Sequence, residues 1–193
     1  MRKKIDNEVI VSAALRVFSR YGYRKATLED IAGELNMTAA GIYAYAESKR
    51  ELYEQTVCFA LLRWQNRVKA AVKQKDTATA KITVLCDSAL HYLAEDKEFC
   101  MLLNSDPSIF PMFPAVDPYE EINTASVDMV AEILTLGAKT REFRELDVKT
   151  VSEVIFSIYK GFVIHAYVQG ESEFIEKNLP QTLDLILHGI QRK

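Results

Sequence analysis

Apolar positions along this chain recur at helical spacing, and no segment shows sustained alternation of the kind a half-buried strand needs. Ile10, Ala13, Ala14, Val17, Phe18 and Tyr21 follow the series of one helix face, which predicts an amphipathic helix over residues 7–21. Its ends are marked by Asp6 as a cap, by Ile5 and Ile10 as a hydrophobic staple, and by Gly22 as the left-handed residue that closes it. Thr27 caps a short second helix with Leu28, Ile31, Ala32 and Leu35 inward, and Asn36 is a turn residue that tolerates positive φ. Thr38 caps a third short helix with Ile42 and Tyr45 inside. Ser48 and Glu51 have the spacing of a capping box and open a long helix to Lys73.

Beyond a polar break at residues 73–79, helices are predicted at 80–95, 97–104, 119–136, 148–168 and 174–190. Between the second and third of these, residues 106–118 hold four of the five prolines, so this apolar stretch must be a loop, because proline lacks the amide a helix interior needs. Pro180 is expected near the true start of the last helix, where its missing N–H does no harm. The fold class is all-α: a three-helix headpiece over residues 1–48 and a larger helical part over residues 49–193, about nine helices in all.

Composition narrows the class without changing this picture. A chain of 193 residues with 49% hydrophobic content buries a sizeable core. Three cysteines, Cys58, Cys86 and Cys100, lack any paired spacing and point to a reducing compartment without a disulfide framework. The basic start Met1-Arg2-Lys3-Lys4 is followed by Asp6 and Glu8 rather than an apolar run, and residues 151–168 are interrupted by Ser152, Glu153, Lys160 and His165, so a soluble, cytoplasmic protein is expected.

The net charge of −3 argues against nucleic acid as a partner, but its distribution argues for it. Residues 1–50 carry nine Lys and Arg against six Asp and Glu, which leaves fifteen against twenty-one for the rest. A basic head on an acidic body presents one end to phosphates and turns the other away.

The headpiece has helix-turn-helix spacing: small Ala32 where the third helix crosses, Asn36 at the turn, then Met37 and a capped short helix. The order Phe18, Gly22, Tyr23, Thr27, Leu28, Ile31, Ala32, then Met37, Thr38, Gly41, Ile42, Tyr43, Tyr45, then Ser48, Lys49, Glu51, Leu52 resembles the DNA-binding domain of the TetR family. That resemblance implies a homodimeric, all-helical repressor whose C-terminal domain binds an inducer. Carried over by position, it implies that Thr27, Tyr43 and Lys49 meet the phosphate backbone, that Thr38, Ala39, Ala40, Gly41 and Ala44 lie at base edges, and that Tyr45 supports the third helix. Asn36, Ala44 and Ala46 depart from the family pattern, the last two by removing bulk and donors from the reading surface. Without Arg, Asn or Gln on that helix, readout is expected to rest on Thr38, Tyr43, thymine-methyl contacts and shape. Arg2, Lys3, Lys4, Arg24 and Lys25 would add backbone affinity, unless the arm is only a solvated terminus.

In the C-terminal part, Ile155, Ile158, Phe162, Leu183, Ile186, Leu187 and Ile190 offer more apolar surface than one protomer easily covers, and are candidates for a two-fold interface or else for intrachain core. Trp64, Tyr92, Phe99, Leu103, Phe110, Phe113, Phe156 and Tyr159 form an aromatic-rich set that is plain core or the wall of a cavity for a hydrophobic or aromatic ligand. Asn104, His91 and Tyr159 are the candidate polar handles. His91, His165 and His188 have no partner at metal-ligand spacing and there is no phosphate loop or nucleophile elbow, so no catalytic residue, metal or cofactor is expected. The rival readings are a constitutive DNA-binding protein without a ligand and, from another class, an enzyme on a helical scaffold.

Overall fold

The computed structural model describes residues 5–109, 116–169 and 173–192. Nine α-helices and no strand are found among the described residues: α1 Asn7–Lys25, α2 Leu28–Glu34, α3 Ala39–Ile42, α4 Lys49–Lys73, α5 Ala78–Glu95, α6 Lys97–Ser105, α7 Glu120–Lys139, α8 Val148–Val163 and α9 Glu173–Ile190. A short 3₁₀ turn follows α6 and a π-helical turn, Ile164–Val168, continues α8.

Local chemistry sets the boundaries. Asp6 accepts from the Glu8 amide at the start of α1, and Ser48 accepts from the Glu51 amide at the start of α4. The capping box expected at Ser48 is completed differently, because the Glu51 carboxylate reaches the Glu47 amide at 2.6 Å. The full reciprocal box is at α2, where Thr27 accepts from the Asp30 amide and Asp30 accepts from the Thr27 amide. Gly22 takes φ +71° as expected, yet α1 resumes for one more turn, with the Ala26 amide bonded to the Gly22 carbonyl. Pro180 lies inside α9 rather than near its start, since the helix already begins at Glu173. There the ring removes one helical hydrogen bond, and the turn before it is held by burial of Ile175 and Leu179.

Burial then assembles the helices. The buried residues form one continuous cluster from Ile10 to Ile190, so headpiece and body share a core. Helix α1 packs on α4 and α6, α4 on α5, and α7 on α8. The chain end is pinned where Arg144 donates its amide to the Ile190 carbonyl and Arg192 donates to Glu142. Contrary to the sequence expectation, Val148–Val168 is long and apolar enough by length and composition to cross a membrane. Its polar residues are too few to lower the average, and in this fold it packs against α7.

Candidate nucleic-acid interface and ligand cavity

The turn between α2 and α3 is built from backbone hydrogen bonds. The Ala32 carbonyl accepts from Met37 at 2.8 Å and from Leu35 at 3.1 Å, and Asn36 adopts φ +52° to let the chain reverse. Buried Ile31, Ala32 and Ile42 hold the two helices together. The β-carbon that Gly41 lacks would lie 3.1 Å from the Met37 methyl, so this glycine lets the turn close tightly over α3.

This packing decides which residues face outward. Thr27, Thr38, Ala40, Tyr43 and Ala44 are exposed, Tyr43 by 57%, while Ala39, Gly41, Tyr45 and Lys49 are half-buried. Thr38 sits at the cap position of α3 but makes no side-chain capping bond, which leaves its hydroxyl for an external partner. Thr27 differs: its hydroxyl donates to Asp30 at 2.7 Å and would have to turn away to meet a phosphate. Tyr45 points inward, where its hydroxyl accepts the Ile5 amide at 2.9 Å. Ala46 is buried, not on the reading surface as its position suggested, because its amide bonds to Ile42 and places it one turn along the same inner face.

Charge around this surface is arranged by a few pairs. Arg16 and Arg20 both reach Glu34, which ties α1 to α2. Arg24 and Lys25 are exposed at the end of α1. The Lys49 ammonium lies 4.7 Å from the Tyr23 ring centroid and donates to the Arg24 carbonyl at 3.3 Å, which concentrates positive charge where α1 meets α4. The arm Arg2, Lys3 and Lys4 lies outside the described residues.

A second feature lies in the body. Helices α4, α5, α7 and α8 enclose an apolar cavity of about 60 Å³, with Trp64 and Gln65 from α4, Ala89 from α5, Ser126 from α7 and Ile155, Phe156 and Tyr159 from α8 among its walls. Trp64 is fixed by its indole N–H, which donates to the Ala89 carbonyl at 2.8 Å, and by a tilted contact with the Tyr159 ring at 5.6 Å. Gln65 ties α4 to α7 by donating to the Ile122 carbonyl and the Ser126 hydroxyl at 2.8 and 2.9 Å.

Of the ligand candidates, Trp64, Phe156 and Tyr159 therefore meet at one cavity. Phe99 and Leu103 do not line it: both are fully buried, and Phe99 packs on Trp64 from another side. Tyr92 faces the α4–α5 surface under the Arg67 guanidinium and donates to Asp96. Phe110 and Phe113 lie outside the described residues. Asn104 and His91 are exposed, away from the cavity walls, and His91 lies 3.2 Å from Asp87. Gln65 and Ser126 were missed, since a lone Gln or Ser on an amphipathic helix carries no signal of what it faces.

The dimer candidates divide as well. Ile155 belongs to the cavity wall, Phe162 is covered by Phe174 at 5.3 Å, and Ile190 is buried in the chain end. Leu183, Ile186 and Leu187 are half-buried, and Ile158 is exposed. Val154 and Leu185, 51% and 73% exposed, add to this apolar surface.

Comparison with known proteins agrees with this geometry. Residues 10–56 match the family model described as bacterial regulatory proteins, tetR family. The fatty acid metabolism regulator protein of Bacillus subtilis is 22% identical over 187 residues, 95% of each chain. A TetR transcription regulator from Haloarcula marismortui shares the fold with a TM-score of 0.82 at 20% identity, over 96% of this chain and 98% of that one. The transcriptional regulator FadR from Bacillus subtilis, solved with stearoyl-CoA, does so with a TM-score of 0.72 at 20% identity, over 95% and 96%. The chain thus matches the tetR-family regulators over residues 10–56 and shares the fold of these solved regulators over nearly its whole length.

Proposed function

We propose that this protein is a ligand-responsive repressor that binds a palindromic operator as a homodimer and leaves it when an apolar effector enters the cavity. In this reading residues 1–48 read DNA and residues 49–193 sense and dimerise. Thr38 and Tyr43 contact the groove and backbone, Lys49 holds a phosphate, and the small face of Ala40 and Ala44 allows close approach to thymine methyls. Ile158 with Leu183, Ile186 and Leu187 supplies the two-fold face, and the protein acts in the cytoplasm, where the operator is.

The observation that carries this reading is the course of α4. One helix begins with the Ser48 cap beside Lys49 and continues to Trp64 and Gln65 in the cavity wall. At about 1.5 Å per residue it is a stiff rod between the two sites. A cavity of about 60 Å³ has no room for a long acyl chain, so entry of one must part α4 from α7 and break the Gln65 bonds. Moving α4 moves Lys49 and the headpiece packed on it.

One relative is named for fatty acid metabolism and one structure of this fold holds stearoyl-CoA, which makes an acyl thioester the ligand class to try first. The test is fluorescence anisotropy on DNA from upstream of the gene, at two salt concentrations, against scrambled competitor, with and without long-chain acyl-CoA. Competitor-resistant binding that acyl-CoA weakens is expected; equal binding to every sequence, unaffected by ligand, would sink the proposal.

A further inference from the structure

Three polar side chains of the cavity wall are tied to the fold through their hydrogens. Trp64 donates to Ala89, Ser126 donates to the Ile122 carbonyl, and both amide hydrogens of Gln65 are engaged by Ile122 and Ser126. The Ile122 carbonyl can only accept, so it fixes which end of the Gln65 amide faces it. The hydroxyl of Tyr159 is different. Among the described residues it has no hydrogen-bond partner, although the side chain sits in the cavity wall between Trp64 and Phe156. A phenol held in an apolar enclosure without an acceptor is unfavourable until something supplies one.

Among the described residues the same walls carry no ionised side chain. Lys160, the next residue along α8, does not line the cavity; its ammonium lies 5.6 Å from the Phe156 ring centroid, and Asp117 is among the charges that act on it. Burial, with Tyr167 and Cys86 as the other titratable neighbours, holds the Tyr159 phenol well above its ordinary range, so it stays protonated and donates. An ionised ligand group against this largely apolar wall would lose hydration without meeting an opposite charge among the lining residues.

We propose that Tyr159 donates a hydrogen bond to a neutral oxygen acceptor, an ester, thioester or ketone carbonyl, in an otherwise apolar effector, and that the cavity discriminates against free carboxylates and organic cations. This rests on the cavity being the effector site and deepens that reading by setting a charge state and a functional group. It places the effector among activated or esterified acyl compounds and sets it apart from the free acid released by their hydrolysis.

Trp64 is the chain's one tryptophan and stands in the cavity wall, so its emission reports occupancy directly. Full-length protein is titrated with methyl octanoate, octanoate, octyltrimethylammonium and octane. The ester is expected to change Trp64 emission saturably, and the two ions to bind at least about tenfold more weakly. Tyr159→Phe is expected to weaken the ester roughly tenfold and leave octane unchanged, which also shows that the variant keeps its cavity. Octanoate binding as well as its ester, an equal loss for ester and octane in Tyr159→Phe, or no response to any probe would each overturn the assignment. Ester binding that depends on Tyr159 but does not release operator DNA would instead leave the assignment standing and remove the release mechanism.

Discussion

The Tyr53 hydroxyl donates to the Asp106 carboxylate across 2.6 Å, joining the headpiece end of α4 to the loop that follows α6. The Tyr53 ring packs edge-on against Phe18 at 5.0 Å and beside Tyr23 at 4.8 Å, so one side chain links α1, α4 and the body. Burial and the accepting Asp106 both push the Tyr53 pKa upward, and the phenol remains a donor throughout the working range. Tyr53→Phe keeps the ring packing and removes the bond. It is expected to cost about 1–2 kcal/mol in chemical denaturation, since the acceptor is charged and part-buried. If headpiece and body communicate through this bond as well as through α4, the variant also shows a smaller change in DNA affinity when ligand is added.

Lys49 tests the backbone contact separately from sequence reading. Lys49→Met keeps the aliphatic stem over Tyr23 and removes the charge. Affinity should fall to a similar extent for operator and scrambled DNA, and the slope of log affinity against log salt should become shallower by about 0.9 per phosphate lost. A loss confined to the operator would instead make Lys49 part of sequence discrimination.

Gly137 and Phe143 make a paired prediction at the far end of the body. The Phe143 ring occupies the place a β-carbon on residue 137 would take, and Phe143 is 2% exposed. Gly137→Ala should therefore destabilise by about 1–3 kcal/mol or force the α7–α8 turn open, read as a lowered thermal midpoint. In the double variant with Phe143→Leu the losses should be less than additive, because the obstructing ring has been replaced by a smaller side chain.

Glu142 gives the stability a defined acid dependence. Its carboxylate accepts from the Ala78 and Thr79 amides at 3.0 and 2.9 Å, capping α5 from a distant part of the chain, and Thr140 adds a third donor. The Thr79 amide bond is the main cause that holds its pKa below the ordinary 4.5, with burial opposing it. A depressed carboxylate contributes stability that is present above its unfolded pKa and lost as pH falls through the folded one. Denaturant midpoints should therefore drop below about pH 4.5 in the wild type, and Glu142→Gln should lose about 1 kcal/mol at neutral pH and show a flatter acid limb. An unchanged acid limb in Glu142→Gln would place the acid sensitivity at other carboxylates.

The dimer face can be tested where it is exposed. Ile158→Glu places a charge on outward-facing α8 surface, and sedimentation should then report monomers with operator affinity reduced at least about tenfold. Phe162→Glu at a buried position would unfold the protomer instead and answers a different question.

Much of the headpiece was legible in the sequence because its determinants are local. The caps at Asp6, Thr27 and Ser48 bond within two or three residues, Asn36 must accept positive φ to turn the chain, and Ile31 and Ile42 are buried by a corner only a few residues long. The body was legible only as a set of amphipathic helices. Periodicity states that Phe99, Leu103, Trp64 and Tyr159 are turned inward, and it treats all four alike. Tertiary packing separated them, placing Trp64 and Tyr159 at a cavity wall and Phe99 and Leu103 in solid core, and it brought Gln65 to Ser126 and Glu142 to Ala78 across long stretches of chain. Burying apolar area is non-directional, so the sequence by itself determined which faces leave water. Which partner each face meets, and whether the fit leaves room for a ligand, depends on the mutual placement of α4, α5, α7 and α8, and only the folded structure decided it.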